Sequence, residues 1–487
     1  MASPQAPHVV IFPFMSQGHT LPLLDLSKAL SHRKIKVTII TTPSNAKSIR
    51  KDTENHPNIG LVEIPFPIID GLPQGTENTS QLPSMEFFFP FLMATKQLQK
   101  PFEQVLQGMS VSKSLPICVI SDFFLGWTLS SCQAFGVPRL VFHGMCVLSM
   151  AISKSVCVHM PHTKAKSVLD PIDLPGLKLP FDLSVSELPA QLIQATDQND
   201  PFFQFISDVG QADCNSWGVV VNSFEELESG TVSSFETFYE NGARAWCLGP
   251  LFLYDKVEGI NKPISQNQPN KLIQFLNDQV TLGSVLYVSF GTQADLSDAQ
   301  LDEVGLGLEE AGVPFLLVVR STTWSPPNGL EERLKGKGMI VKEWVDQRRI
   351  LSHRAVGGFF SHCGWNSVIE SISAGVPILA WPMIAEQSLN AKLIAEGLGA
   401  GLGIRKSHDD LGSGIEVSRR AICEGVRELM EGEKGRDARE RAQALGRVAW
   451  RAVQEGGSSH QALNKLIDQL CAFSGQSVTK YPNMSIT

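Results

Sequence analysis

The sequence predicts an α/β protein of two domains, each built on a parallel sheet. Three observations carry that prediction. The chain has 487 residues, more than a single hydrophobic core usually serves. Short apolar, β-branched runs recur in both halves without polar alternation, as strands buried on both faces do. Longer stretches of helical periodicity separate these runs, giving the rhythm of strand–helix–strand units.

In the first half the runs are HVVIFPF, KVTIITT, PICVISD, RLVFHG and GVVVNSF. In the second they are SVLYVSFG, PFLLVV, MIVKEWV, VGGFFSH and PILAWP. A helix follows the first run of the second half. Ser297 and Gln300 form a capping box, Leu301, Val304 and Leu308 share a face, and Gly312-Val313-Pro314 ends it. The Pro-, Gly- and Asn-rich stretch LGPLFLYDKVEGINKPISQNQPN reads as an interdomain linker. Residues 1–248 are therefore assigned to an amino-terminal domain, 249–270 to the linker and 271–455 to a carboxyl-terminal domain. A last helix over 456–473, with Leu463, Leu466, Ile467 and Leu470 on one face and Ser458 and Gln461 as caps, is expected to pack back on the first domain. Residues 474–487 read as a mobile tail.

Composition narrows the function. Hydrophobic residues make up 43% of the chain and charged ones 18%, which suits a protein with a substantial core. A net charge of -8 argues against a nucleic-acid partner and an anionic membrane surface. Nine scattered cysteines without a C-x-x-C pair read as reduced, mostly buried thiols. With no signal-peptide pattern and no apolar stretch long enough to cross a bilayer, a cytoplasmic protein without membrane insertion is expected.

The stretch SHCGWNS concentrates unusual chemistry. Upstream AVGGFFSH reads as a buried strand, and CGWNSVIESIS as a helix stopped by Gly375-Val376-Pro377. HCGWN is then a strand-to-helix turn whose backbone N–H groups leave a helix amino end, which suits a diphosphate. Asn366 and Ser367 can add side-chain donors there, and Glu370 lies one turn on, where a carboxylate can accept from ribose hydroxyls. Trp344 offers an indole for stacking on a base. Three other readings stay open. His362-Cys363 as a metal pair lacks further ligands at short spacing. Cys363 as a nucleophile lacks an evident base. A plain core turn with a packed Trp and Cys is the third. No G-x-G-x-x-G or P-loop is present, so a dehydrogenase or NTPase loses its main support.

Residues Trp344 to Gln387, WVDQRRILSHRAVGGFFSHCGWNSVIESISAGVPILAWPMIAEQ, resemble the signature of the plant family 1 UDP-sugar-dependent glycosyltransferases. The likeness extends along nearly the whole chain, including GH near the start, VVVNSFEELE, LGPL and VLYVSFGT. It implies a GT-B fold, two facing Rossmann-like domains with an interdomain cleft, and donor binding by the carboxyl-terminal domain. It also implies roles for matching residues: Trp344 stacking on uracil, the Val345 backbone pairing its edge, and Gln347 and Glu370 holding the ribose. His362, Gly364, Asn366, Ser367 and the Thr292 hydroxyl would bind the diphosphate, and Glu386 and Gln387 the hexose. Trp365 stands where glucuronate-using relatives tend to carry arginine, and Gln387 rather than His favours glucose over galactose. The sequence departs from the family at Asp346, where Pro is frequent, at Phe275 and Asn277, and at Thr292, where Ser is usual.

Forming a glycosidic bond to a hydroxyl requires removing its proton. His19 follows the first strand at the start of a helix expected near Thr20, and a neutral imidazole suits that task. Asp122 ends another buried strand, where it can cap a helix or orient the imidazole. The resemblance points to the same pair, His19 as general base and Asp122 as its partner. A base of this kind suits an inverting transfer, and the resemblance implies glucose from UDP-glucose as the sugar and a flavonoid, other phenolic or terpenoid as the acceptor, giving a β-glucoside. No cofactor or metal is expected, and the protein is expected to be a monomer. MEFFFPFLMATKQL is a candidate acceptor wall, though its spacing equally suits helix core. A nucleotide-sugar epimerase and a noncatalytic UDP-sugar-binding protein are the alternatives.

Overall fold

The computed structural model describes residues 6–194, 199–228, 230–257, 270–291, 296–321, 323–405 and 416–475. Thr292, most of the expected linker and nearly all of the expected tail lie outside these residues. The chain divides into two compact units. One comprises Met1–Val147, Thr196–Ile260 and Ala452–Thr487; the other comprises Leu148–Ala195 and Asn261–Arg451. The sequence reading kept Leu148–Ala195 in the first domain, because no change of composition marks its passage to the second.

In the first unit the described strands are β1 (His8–Phe12), β2 (Lys36–Thr41), β3 (Ile59–Glu63), β4 (Cys118–Asp122), β5 (Arg139–Phe142), β6 (Gly218–Val221) and β7 (Arg244–Cys247). They pair in parallel in the order β3-β2-β1-β4-β5-β6-β7. In the second unit β8 (Val285–Ser289), β9 (Phe315–Val318), β10 (Gly338–Val341), β11 (Val356–Ser361), β12 (Ile378–Ala380) and β13 (Gly401–Gly403) pair in parallel as β10-β9-β8-β11-β12-β13. These are the two Rossmann-like sheets the sequence implied. Each order reverses direction at one place, between β1 and β4 in the first sheet and between β8 and β11 in the second. Helices leave opposite faces there and open a crevice at the strand carboxyl ends, so such switch points are where open α/β sheets bind ligands.

All ten apolar runs read from the sequence are strands. The three strands not read, β3, β7 and β13, lie at sheet edges. Their residues are partly solvent-exposed and their apolar runs are broken by Gly, Glu or Arg, whereas β10, also at an edge, keeps an unbroken Met-Ile-Val run.

Layers of buried side chains hold each sheet to its helices. Val10, Phe12, Val119, Phe91, Phe102 and Val209 belong to one core. Leu286, Val288, Leu301, Val304, Leu308, Phe360 and Trp381 belong to the other. The helix Asp298–Ala311 begins as expected with the Ser297 hydroxyl accepting from Gln300 N and ends at Gly312 in the left-handed region (φ 75°). Its expected capping box is one-sided, however. The Gln300 amide turns to Val417, donating to its carbonyl (2.7 Å) and accepting from its N–H (3.1 Å) and that of Glu416 (2.8 Å). A tertiary contact outcompetes the local cap.

The last helix, Ser458–Gly475, lies on the first unit. Ser459 Oγ donates to the Gly249 carbonyl (2.5 Å), and Arg33 Nε donates to Asn464 (2.9 Å). Ser458 and Gln461 do not cap it through their side chains as expected. The Ser458 hydroxyl donates to Glu226, and the Gln461 amide donates back to the Gly456 carbonyl. All nine cysteines are free, and Cys157 is the exposed one. Among the described residues, no helix is long and apolar enough to cross a membrane.

Candidate active site

The first unit presents one constellation at its switch point. The helix after β1 runs Gln17–His32, starting three residues earlier than expected, so His19 sits inside its first turn. Asp122 ends the adjacent strand β4, one position past the Phe12–Ser121 pair. Neighbouring strand ends thus bring together two residues 103 positions apart. His19 Nδ1 lies 2.7 Å from Asp122 Oδ2. Asp122 is fully buried, while the His19 side chain keeps 24% of its surface. The other carboxylate oxygen, Oδ1, accepts from Phe124 N (3.0 Å). Both readings of Asp122 therefore hold at once, helix cap and imidazole partner. A carboxylate at Nδ1 fixes the proton on that nitrogen and leaves the basic lone pair on Nε2.

Aromatic rings surround the imidazole. Phe14 and Phe124 have centroids 5.6 and 5.7 Å from it, and Phe88 packs edge-on against both phenylalanines. The MEFFFPFLMATKQL segment thus divides its work. Phe91, Leu92 and Leu98 are core, whereas Phe88 joins the shell beside His19. Beneath Asp122, the fully buried Arg139 donates to the Asp122 carbonyl (3.1 Å), to the hydroxyls of Ser121 (2.8 Å) and Thr128 (2.9 Å), and to Ser216 (2.7 Å). This network holds the strand end still.

The second unit builds its site at the β8–β11 switch point. Ser361 ends β11, and the helix Trp365–Ser373 starts after Gly364. The helix ladder opens with Val368 N donating to Gly364 O, so the N–H groups of residues 365–367 precede it. His362 lies between two glycines. A Cβ added at Gly364 would come within 2.7 Å of its Nε2, and one at Gly291 within 2.8 Å. Burial pushes the His362 pKa down to about 4, so the ring is neutral near pH 7. Cys363 adopts φ 64°, and burial raises its thiol to about 12. A protonated, fully buried thiol argues against Cys363 as a nucleophile, and among the described residues the group of three His, Cys, Asp or Glu side chains close enough to share a metal ion does not include it.

Other expected donor residues converge on the same helix. The Gln347 amide donates to Ser367 Oγ (3.0 Å) and Glu370 Oε2 (2.8 Å), and its oxygen accepts from Tyr287 OH (3.3 Å). Arg348 Nε donates to the other Glu370 oxygen (2.7 Å). The carboxylate expected to stand open for a ribose is thus already paired. Each of its oxygens retains a second acceptor site, so two hydroxyls can still be received. Asp346, where the family favours Pro, caps the helix Gln347–Leu351 by accepting from Arg349 N (3.1 Å). Asn277, another departure, pairs with His353 (3.1 Å). Trp344 is 54% exposed, Val345 is buried, and the Trp365 ring is buried at 2%.

Glu386 and Gln387 open the helix Gln387–Lys392. Gln387 Oε1 accepts from both Met383 N and Ile384 N (3.0 Å each), which fixes the amide so that its NH2 faces away from that turn. Sequence reasoning missed the residue that joins this helix to the turn expected to hold the diphosphate. Asn390, fully buried, donates to the Cys363 carbonyl (3.0 Å) and Glu386 Oε1 (3.1 Å) and accepts from Ser149 (2.9 Å). Its spacing of four from Glu386 was the available signal.

Comparisons with known proteins bear on the family and the fold. Residues 244–414 match the family model described as UDP-glucoronosyl and UDP-glucosyl transferase, and residues 6–253 match that of the glycosyltransferase N-terminal domain. UDP-glycosyltransferase 90A1 of Arabidopsis thaliana is 41% identical over 488 residues, 95% of this chain and 96% of that protein. UDP-glycosyltransferase 73B4 of the same plant is 37% identical over 491 residues, covering 95% and 98%. Among solved structures, Glycyrrhiza uralensis UGT73P12 with glycyrrhetinic acid 3-O-monoglucuronide superposes with a TM-score of 0.85 at 28% identity, covering 97% of each chain. Phytolacca americana UGT2 with UDP-2fluoro-glucose and pterostilbene gives 0.79 at 26% identity, covering 96% of this chain and all of that one.

Proposed function

The chain belongs to the plant UDP-glycosyltransferases, enzymes of GT-B fold, and on that premise we propose that it is an inverting glucosyltransferase acting on a small lipophilic alcohol or phenol. The observation that carries the chemistry is the 2.7 Å His19–Asp122 pair inside a phenylalanine shell. His19 Nε2 takes the proton of the acceptor hydroxyl as its oxygen attacks the anomeric carbon. The bond from that carbon to the UDP oxygen breaks, and its electron pair leaves on the diphosphate. Attack opposite the leaving group turns a UDP-α-sugar into a β-glycoside. Asp122 stabilises the imidazolium that forms.

In the donor half, the first-turn N–H groups of residues 365–367, the neutral His362 and the Asn366 and Ser367 side chains receive the growing diphosphate charge. Trp344 carries the uracil, with the Val345 backbone at its edge, and Glu370 and Gln347 hold the ribose. Glu386 and the outward NH2 of Gln387 hold the hexose, Gln387 favouring glucose. The Phe14, Phe88 and Phe124 rings favour an aromatic or terpenoid acceptor. The pterostilbene in the Phytolacca relative is such a molecule. The reading further takes the protein as a cytoplasmic monomer whose turnover needs no metal.

The test incubates purified protein with UDP-glucose, UDP-galactose or UDP-glucuronate and a panel of flavonoids, simple phenols and terpenoid alcohols. UDP release and product stereochemistry are followed, with and without a chelator. The expected result is a β-glucoside made fastest from UDP-glucose and unchanged by the chelator. Preference for another donor, an α-linked product, or sugar isomerisation without acceptor would overturn the reading.

A further inference from the structure

Away from the catalytic pair, the first unit gathers three metal-binding side chains from three separate segments. His32 is the last residue of the helix Gln17–His32. His56 lies in the turn between the helix Pro43–Thr53 and β3, and Asp255 lies in the helix Tyr254–Val257. One ligand atom from each falls within 4.8 Å of the others. His32 Nε2 and Asp255 Oδ1 are already 3.0 Å apart, and the two imidazoles meet edge to face with centroids 5.3 Å apart. His56 is buried, and the His32 and Asp255 side chains keep only 10% and 16% of their surface.

We propose that His32, His56 and Asp255 form a binding site for a divalent transition-metal cation of the zinc type, with solvent completing the coordination. Two imidazole nitrogens and one carboxylate oxygen favour such a cation over magnesium or calcium, which take oxygen ligands. In a four-coordinate zinc site with bonds of about 2.0–2.2 Å, neighbouring ligand atoms lie about 3.3 Å apart. The His32–Asp255 edge, at 3.0 Å, is slightly shorter than that, and all three ligand atoms lie within 4.8 Å of one another, so small rotations of the three side chains, breaking the His32–Asp255 hydrogen bond, would close the site. Lys28 makes no ion pair with the carboxylate, although its ammonium and Asp255 attract each other through space. Its ammonium pairs with Asp52 (2.5 Å) and stands 3.8 Å from Asp25. The carboxyl end of a 16-residue helix adds a partial negative charge that favours a cation.

The metal has a structural effect rather than a catalytic one. His32 lies thirteen residues along the helix from His19, about 20 Å at 1.5 Å per residue. A cation there cannot touch a hydroxyl at His19. It ties the end of the base-carrying helix to His56 and to the helix of Asp255, and it stabilises the folded unit in proportion to occupancy.

The test uses the full chain, stripped with chelator and titrated with zinc chloride and with cobalt chloride in a non-coordinating buffer. The expected result is one zinc bound per chain and a rise in unfolding temperature that grows with free zinc. Bound cobalt should give the intense visible absorption of a four-coordinate N/O site without a thiolate-to-cobalt band in the near ultraviolet. His32→Gln, His56→Asn and Asp255→Asn should each weaken zinc at least tenfold while leaving sugar transfer in metal-free buffer unchanged, which also reports that they fold. Should His32→Gln fail to fold, His56→Asn in the turn still decides the matter. No zinc binding, binding that survives all folded variants, or a thiolate band assigning the metal to a cysteine such as Cys157 would overturn the proposal.

Discussion

At the scale of single residues, the two ends of the proposed reaction depend on side chains whose protonation is set by their surroundings. His19 has its Nδ1 hydrogen committed to a buried carboxylate, and His362 is kept neutral by burial. The meeting of His19 and Asp122 was legible because Asp122 ends one strong apolar run and His19 follows another at a helix start. The close approach of Gly291 and Gly364 to the His362 ring was not, since a one-dimensional pattern says nothing of what a Cβ would strike. That contact yields a prediction. Gly364→Ala places a methyl 2.7 Å from His362 Nε2, and the ring must leave its position at the turn proposed to hold the diphosphate. UDP affinity should fall about tenfold, equivalent to about 1.4 kcal/mol, with little change in acceptor KM. Calorimetric titration with UDP checks it, and unaltered affinity would remove His362 from the diphosphate site.

Among the elements, the helix starts after β1 and β11 carry the proposed chemistry, and short buried polar links position them. Asn390 is the clearest link, since it ties the Cys363 carbonyl to Glu386 and Ser149. Asn390→Leu leaves that carbonyl and the Ser149 hydroxyl without this partner inside the protein. The expected cost is about 1–3 kcal/mol of stability, with weaker binding of the hexose part of the donor and unchanged binding of UDP itself. Comparing UDP with UDP-glucose affinity in the variant separates the two effects. Central strands and the edge strand β10 were legible through their continuous apolar runs, whereas the edge strands β3, β7 and β13 were not, because partial burial there lets Gly, Glu or Arg interrupt the run. The two caps misread, at Gln300 and Ser458, share one cause. Each side chain found a partner distant in sequence that no local motif encodes.

For the whole molecule, both units contain a histidine held neutral by burial, His362 in one and His8 in the other. An unfolded histidine binds its proton near pH 6.5. The folded protein therefore binds fewer protons below that pH, and stability present above about 6.5 is lost as the pH falls toward 4. For His362, with a folded value of about 4, the full loss is on the order of 3 kcal/mol. Chemical denaturation at pH 7.0, 5.5 and 4.5 should show this decline, and His362→Gln should flatten it. The two-sheet architecture was legible from length and periodicity. The passage of Leu148–Ala195 into the second unit was not, since it follows from packing between distant segments. The claim on which the rest depends is that His19 removes the acceptor proton while other residues bind the donor. Its most direct test measures kcat and UDP affinity of His19→Ala side by side. The account predicts a kcat lower by about 10²–10⁴-fold with UDP affinity unchanged; turnover surviving at the wild-type rate would contradict it.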